Sequence, residues 1–272
     1  MKTALSPKDL ATAIGVSESS LKRWADEGRI AVTRTAGGHR RIALDEAIRF
    51  IRETGQSVQR PDVLGMAGLE ASKQRLREDR PDEDQPALLE ALKAGDVQVA
   101  DALILNWYLE GKSLAALFDG PIRTALQELG KIWRHRDEGI FIEHRAIDIV
   151  LHSLNRLRGM LPQPRADAPT AIGGAPEHDP YIVPSLMAAM VLADAGFAAT
   201  NLGANVPTNV LRDAVVEHEP DLVWLSSSSD TKADELDGAI HELASACQPL
   251  GAKLIIGGRQ IDTARPIHHE NV

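Results

Sequence analysis

The chain has 272 residues, 43% of them hydrophobic, with 30 Lys and Arg against 39 Asp and Glu. That length predicts two or three domains with ordinary hydrophobic cores. No apolar run reaches 18 residues and the stretch from Met1 to Pro7 has no signal-like segment, so the expectation is a cytoplasmic protein that spans no membrane. The single cysteine, Cys247, excludes an internal disulfide and a cysteine-built metal site. The net charge of −9 is unevenly spread: residues 1–60 hold 11 basic and 7 acidic side chains, and the remainder 19 and 32. A basic head on an acidic body predicts an anionic partner for the head alone.

In chain order, 6–14 reads as a short helix. Ser6 caps it, Pro7 suits its first turn, and Asp9 completes a short capping box. Gly15-Val16 turns the chain, Ser17 caps a second helix, and Gly28 ends it. Ser19, Ser20, Lys22 and Arg23 form the polar side of that helix, while Leu21 and Trp24 face a core. Residues 30–34 and 39–42 read as two strands joined through Ala36-Gly37-Gly38, carrying Arg34, His39, Arg40 and Arg41. A helix over 45–53 closes the head. This order of parts, with its Gly-Gly-His-Arg-Arg wing, resembles the MerR-type winged helix-turn-helix over about residues 4–54. The resemblance implies a double-stranded DNA operator. Ser19, Ser20, Lys22 and Arg23 would enter the major groove, and Arg34, His39, Arg40 and Arg41 would hold phosphates. It also implies a homo-oligomer, a dimer or tetramer.

Residues 54–61 form a linker, 62–78 are partly helical by pattern, and 78–86 form a charged connector bounded by prolines. Helical segments follow at 87–94, 97–110, 119–136 and 141–160, broken at Gly95, Gly120-Pro121 and Gly139. Such short breaks predict a compact four-helix bundle. Within it, Trp133 is followed after nine residues by Glu143-His144. This pair of landmarks resembles the helical cap of CarH-type cobalamin photoreceptors, which implies that Trp133, Glu143 and His144 cover the upper face of a cofactor. In that family a His commonly follows the Trp. Here Arg134 does, with His135 one residue further.

After a Pro/Ala linker, strand-like and helix-like segments alternate. Strands are expected at 170–173, 198–202, 221–226 and 252–256. Helices are expected to 195, from a Thr208 cap to 218, and over 232–250. The alternation predicts a parallel sheet whose ligands bind at the carboxyl ends of the strands. Those ends carry Asp179-Pro180-Tyr181-Ile182-Val183-Pro184, then after 41 residues Ser226-Ser227-Ser228, then after 28 residues Gly257-Gly258. Only 14 residues follow Gly258, so a four-stranded sheet without a last βα unit is expected. The spacing resembles the cobalamin-binding Rossmann-like domain.

The residue types depart from that pattern. Tyr181 stands at the cobalt-ligating His position, Pro184 at the loop Gly, and Ser228 at a Leu. In a rival register His178 is the ligand, but it leaves three residues too many before Ser226. The resemblance implies that Asp179 bonds the ligating side chain and that Ser226 and Ser228 contact a tail threaded between sheet and helix. Gly257 and Gly258 would give the cofactor room. A phenol is a poor substitute for imidazole on cobalt. Three readings therefore stay open: cobalamin without protein ligation, another tetrapyrrole such as a bilin, or a cofactor-free interaction module. No catalytic constellation or metal site stands out, and His268-His269 reads as tail. A corrinoid-binding enzyme subunit is the remaining alternative, but such subunits carry no DNA-binding head.

The expected fold class is multidomain α and α/β. A winged helix-turn-helix (1–60), a linker (61–86), a helical bundle (87–162) and a Rossmann-like parallel sheet (169–272) make up the chain. The expected function is a non-enzymatic, DNA-binding regulator. The resemblance implies tetrapyrrole sensing, with a light response and a change of oligomeric state.

Overall fold

The computed structural model describes residues 3–66, 69, 84–132, 137–230, 232–259 and 261. The chain divides into two compact units, Met1–Pro162 and Gln163–Val272.

The first unit opens with a strand too short for its pattern to be read, β1 (Ala4–Leu5), which pairs antiparallel with β3 (Arg40–Ala43). Between them lie α1 (Pro7–Ile14), α2 (Glu18–Asp26) and β2 (Thr33–Arg34). The capping box of α1 forms as expected, with Ser6 Oγ accepting from Asp9 N at 3.1 Å and Asp9 Oδ2 accepting from Ser6 N at 3.0 Å. Gly15 turns the chain at φ 71, and a side chain there would run into the Gln59 amide. Ser17 caps α2 through Ser20 N at 3.1 Å. The strand expected over 30–34 shrinks to Thr33–Arg34, because Ile30 is drawn into the core instead. Helix α3 (Leu44–Thr54) lays Ala47, Ile48, Phe50 and Ile51 against that core, and Trp24 meets Phe50 with ring centroids 5.3 Å apart.

The chain then returns to α1, where Gln59 N and Arg60 N both donate to Ala13 O. The bundle follows with α4 (Asp84–Ala94), α5 (Val97–Leu109), α6 (Leu114–Leu117), a π turn over Phe118–Ile122, α7 (Arg123–Ile132) and α8 (Asp137–Arg158). Every residue of α5 from Ala100 to Leu109 is buried, which makes it the central helix. The break expected at Gly120-Pro121 is present, with Gly120 out of helical geometry at ψ −108. Arg52 on α3 joins head to bundle. Its guanidinium donates to Tyr108 O in the last turn of α5 at 2.5 Å and to Lys112 O just beyond it at 3.1 Å. It also lies 3.6 Å from the centre of the Tyr108 ring.

The second unit is a parallel sheet in the order β5-β4-β6-β7. Its elements are β4 (Thr170–Gly174), α9 (Ile182–Asp194), β5 (Ala198–Asn201), α10 (Thr208–His218), β6 (Leu222–Ser226), α11 (Ala233–Cys247) and β7 (Lys253–Gly257). Two expectations need correcting. Thr208 is the first helical residue and makes no cap, since Pro207 occupies the N-cap position. The last helix ends at Cys247, where Gln248–Leu250 tightens to a 3-10 turn containing Pro249. One sheet face packs Ile172, Val223, Leu225 and Leu254 against Leu211, Val215, Ile240 and Leu243 of α10 and α11. The other packs Ala171 and Trp224 against Ala189 of α9. Among the described residues, no helix is long and apolar enough to cross a membrane.

Candidate functional sites

The head presents a polar helix beside a basic hairpin. On α2, Ser19 and Ser20 share the Ser17 hydroxyl at 2.8 and 2.9 Å. Lys22 pairs with Glu18 at 2.8 Å and Arg23 with Glu27 at 3.8 Å, both across one turn. Such exposed pairs are weak and can exchange for a phosphate. The hairpin is closed by Thr35 N donating to His39 O at 2.9 Å, with Gly38 at φ 79. Arg34 stands opposite Arg40 in the register. Like charges so placed repel, and Arg40 is relieved by a partner elsewhere. It donates to Asp26 Oδ1 at 2.6 Å and to Lys22 O at 3.4 Å, which pins the wing to the C-terminal part of α2. Arg34, His39 and Arg41 are exposed, and among the described residues Arg34 and Arg41 have no ion-pair partner. The wing cations therefore divide into a positioning residue, Arg40, and cations open to phosphate.

In the second unit the three motif loops meet at the carboxyl ends of the strands. Asp179 organises them. It is fully buried, and among the described residues its carboxylate is held by backbone N–H groups. Oδ1 accepts Tyr181 N at 3.0 Å, while Oδ2 accepts the backbone N–H groups of Ser228 and Ser229, the latter at 3.1 Å. The resemblance gave this carboxylate to a ligating side chain; here it ties the first loop to the second. His178 stands just before it at φ 68, exposed, with its N–H donated to Asn205 Oδ1 at 2.8 Å. Tyr181 opens α9, 39% exposed, with the Arg259 guanidinium 5.9 Å from its ring centre. Ile182 and Leu202 are exposed nearby in the chain path, at the start of α9 and the end of β5.

Ser226 pairs with Gly257 across β6 and β7, and both serines of the expected pair lie in or beside this strand end, Ser226 buried and Ser228 half-buried. Ser227 between them is fully buried, and its hydroxyl finds no partner among the described residues. Gly258 sits at φ 111, where a Cβ would lie 2.1 Å from Ser227 O. Its glycine is thus required by the neighbouring loop. Among the described residues Gly257 has nothing within 4 Å of its Cβ position, so of this pair it is the one with space beside it.

Trp133, Arg134 and His135 lie outside the described residues, as do His268 and His269. Glu143 and His144 are on α8, half-buried and exposed. Sequence reasoning passed over Trp224, Ser185, Asn201 and Arg259. Trp224 donates its indole N–H to Ser185 Oγ at 3.1 Å, and Ser185 donates to Asn201 Oδ1 at 2.7 Å. The sequence signal was a large aromatic within the apolar run Leu222-Val223-Trp224-Leu225.

A cobalamin held through a cobalt–imidazole bond, with its nucleotide tail threaded between sheet and helix, does not fit these residues. The position that the spacing assigns to the ligand carries the phenol of Tyr181, its expected carboxylate partner already accepts three backbone N–H groups, and the Trp224 ring lies between sheet and α9. Among the described residues no group of three or more His, Cys, Asp or Glu could hold a metal ion.

Comparison with known proteins gives the same two parts. The family model for a helix-turn-helix domain matches residues 4–55. The HTH-type transcriptional repressor CarA of Myxococcus xanthus is 24% identical over 259 residues, covering 92% of this chain and 85% of that protein. The monomethylamine corrinoid protein of Methanosarcina barkeri is similar in fold, with a TM-score of 0.51 at 15% identity, covering 65% of this chain and 84% of that one. The chain thus joins a helix-turn-helix head to a parallel α/β unit, and over most of its length it is similar to a DNA-binding transcriptional repressor.

Proposed function

We propose that this regulator binds a palindromic or repeated operator as a homo-oligomer, and that its α/β unit senses a flat tetrapyrrole-type ligand, cobalamin or a related pigment such as a bilin. Ligand or light changes its oligomeric state and its hold on DNA. The name of the Myxococcus xanthus relative supports repression and a non-catalytic role. The supporting observation is the pairing of two surfaces in one chain. A basic wing stands beside a polar helix, and a parallel sheet exposes Tyr181 and Leu202 at the carboxyl ends of its strands. Apolar and aromatic groups there suit a planar ligand that needs no axial bond. A second reading, a cofactor-independent regulator using this unit to hold a protein partner, is favoured by Asp179 being engaged by the backbone of its own loops.

An operator selected by the chain from random duplexes separates the two readings. Its affinity and the mass of the complex would be measured with hydroxocobalamin, adenosylcobalamin or biliverdin, in darkness and after illumination. The sensor reading expects at least one compound to change operator affinity tenfold or more, about 1.4 kcal/mol of coupling. Indifference to all three, with operator binding intact, favours the cofactor-independent regulator.

A further inference from the structure

The sheet face under α9 carries a plug. Gly173 on β4, Trp224 on β6 and Ile255 on β7 are register partners across three strands. The Trp224 ring lies against Gly173, where a Cβ would come within 2.3 Å of Trp224 Cδ2. Only a glycine leaves room for the indole at that point. The ring is 3% exposed and packed with Ala171 and Ala189. Its edge is anchored through Ser185 on α9 to Asn201 at the end of β5, and Asn201 Oδ1 also accepts Gly203 N at 3.1 Å. The indole is therefore fixed by the sheet beneath it, the helix above it and a hydrogen-bond chain at its rim. One strand further out Ile255 is 51% exposed, and among the described residues nothing lies within 4 Å of a Cβ at Gly257. Anything threaded between this sheet and α9 would have to expel a buried aromatic and break its hydrogen bond.

We propose that Trp224 is a specificity determinant that excludes a threaded nucleotide tail, so that the unit takes planar tetrapyrroles without such a tail, or with the tail left outside. This rests on the ligand reading above and narrows it. The first test needs no variant. The full chain is titrated in darkness with cobalamin and with cobinamide, a corrinoid without the nucleotide base. Cobalamin should bind no more than about threefold tighter than cobinamide, since a tail left outside makes few contacts. A tenfold or greater preference for cobalamin, with the spectrum of a displaced base, overturns the proposal.

The second test grafts the missing ligand. Tyr181→His alone should not displace the cofactor's base, whereas Tyr181→His with Trp224→Ala should. Displacement by the single variant, or none by a double variant with a native circular dichroism spectrum, also overturns it. Trp224→Leu replaces Trp224→Ala should the latter fail to fold. Wild-type chain that binds neither corrinoid nor biliverdin would sink the ligand reading alone, because the graft still decides what Trp224 excludes.

Discussion

Replacing Asp179 by Ala should destabilise the second unit even when no ligand is present. The carboxylate is fully buried and accepts three backbone N–H groups, from Tyr181, Ser228 and Ser229. A hydrogen bond to a charged group contributes about 1.5–3 kcal/mol, and a buried donor left unmet costs a comparable amount. Ser228 and Ser229 are half-buried, so water can serve part of their need, and the three bonds share one acceptor and do not add. The expected loss is therefore about 3–5 kcal/mol, a large share of the roughly 5–15 kcal/mol that holds a domain together. Asp179→Asn keeps one acceptor oxygen but turns an NH2 toward donors, and should lose about 2–4 kcal/mol. Urea unfolding of the full chain reads the loss. Hydrogen exchange at the Tyr181, Ser228 and Ser229 amides localises it, since all three should exchange faster in the variant. A loss below about 1 kcal/mol, with exchange unchanged at those amides, would refute the claim that Asp179 serves the loops.

Three further outcomes follow from other parts of the chain. Arg52→Ala removes two hydrogen bonds to carbonyls and a cation over Tyr108; it should lower the stability of the first unit by about 2–3 kcal/mol, with Arg52→Lys intermediate in thermal melting. Arg41→Ala should weaken operator binding and reduce its salt slope by about one, with Arg41→Lys restoring most of the affinity. At Arg40, held to Asp26 and Lys22 O, Lys should not restore binding, because a point charge cannot reproduce the fork that fixes the wing. Burial pushes the Cys247 thiol up from 9.0 to about 11. The folded value lies above the unfolded one, so the stability this thiol contributes is intact below about pH 9 and is lost as pH rises towards about 11. The loss is at most roughly 2–3 kcal/mol. Stability of wild type minus that of Cys247→Ala, followed from about pH 8 to 11, should fall across that window.

Where the sequence spoke locally, it spoke clearly. The Ser6 and Asp9 capping box, the Gly15 turn, the Gly37-Gly38 hairpin and the break at Gly120-Pro121 each need only neighbours within a few residues, and each is present. The alternation of strands and helices likewise made the parallel sheet legible. Less could be read where partners are distant. Ala4 and Leu5 become a strand only because Ala43 and Ile42 lie beside them. Arg40 reads as one more wing cation until Asp26, fourteen residues earlier, is placed against it. Asp179 reads as the companion of a metal ligand two residues on, yet two of its three bonds come from residues about fifty positions away. In the sequence Trp224 sits inside the apolar run Leu222-Val223-Trp224-Leu225 and nothing sets it apart as a site residue. That it faces α9 and rests on Gly173 follows only from the register of β4 and β6.

The central claim is that any corrinoid bound by the second unit is held without a protein–cobalt bond from the loop before α9. It is tested most directly by the absorption spectrum of the purified chain mixed with adenosylcobalamin in darkness, alongside the His178→Ala variant. The account predicts that any bound cofactor keeps its own base attached and that His178→Ala leaves the spectrum unchanged. Tight binding with the spectrum of a displaced base, abolished by His178→Ala, would contradict it.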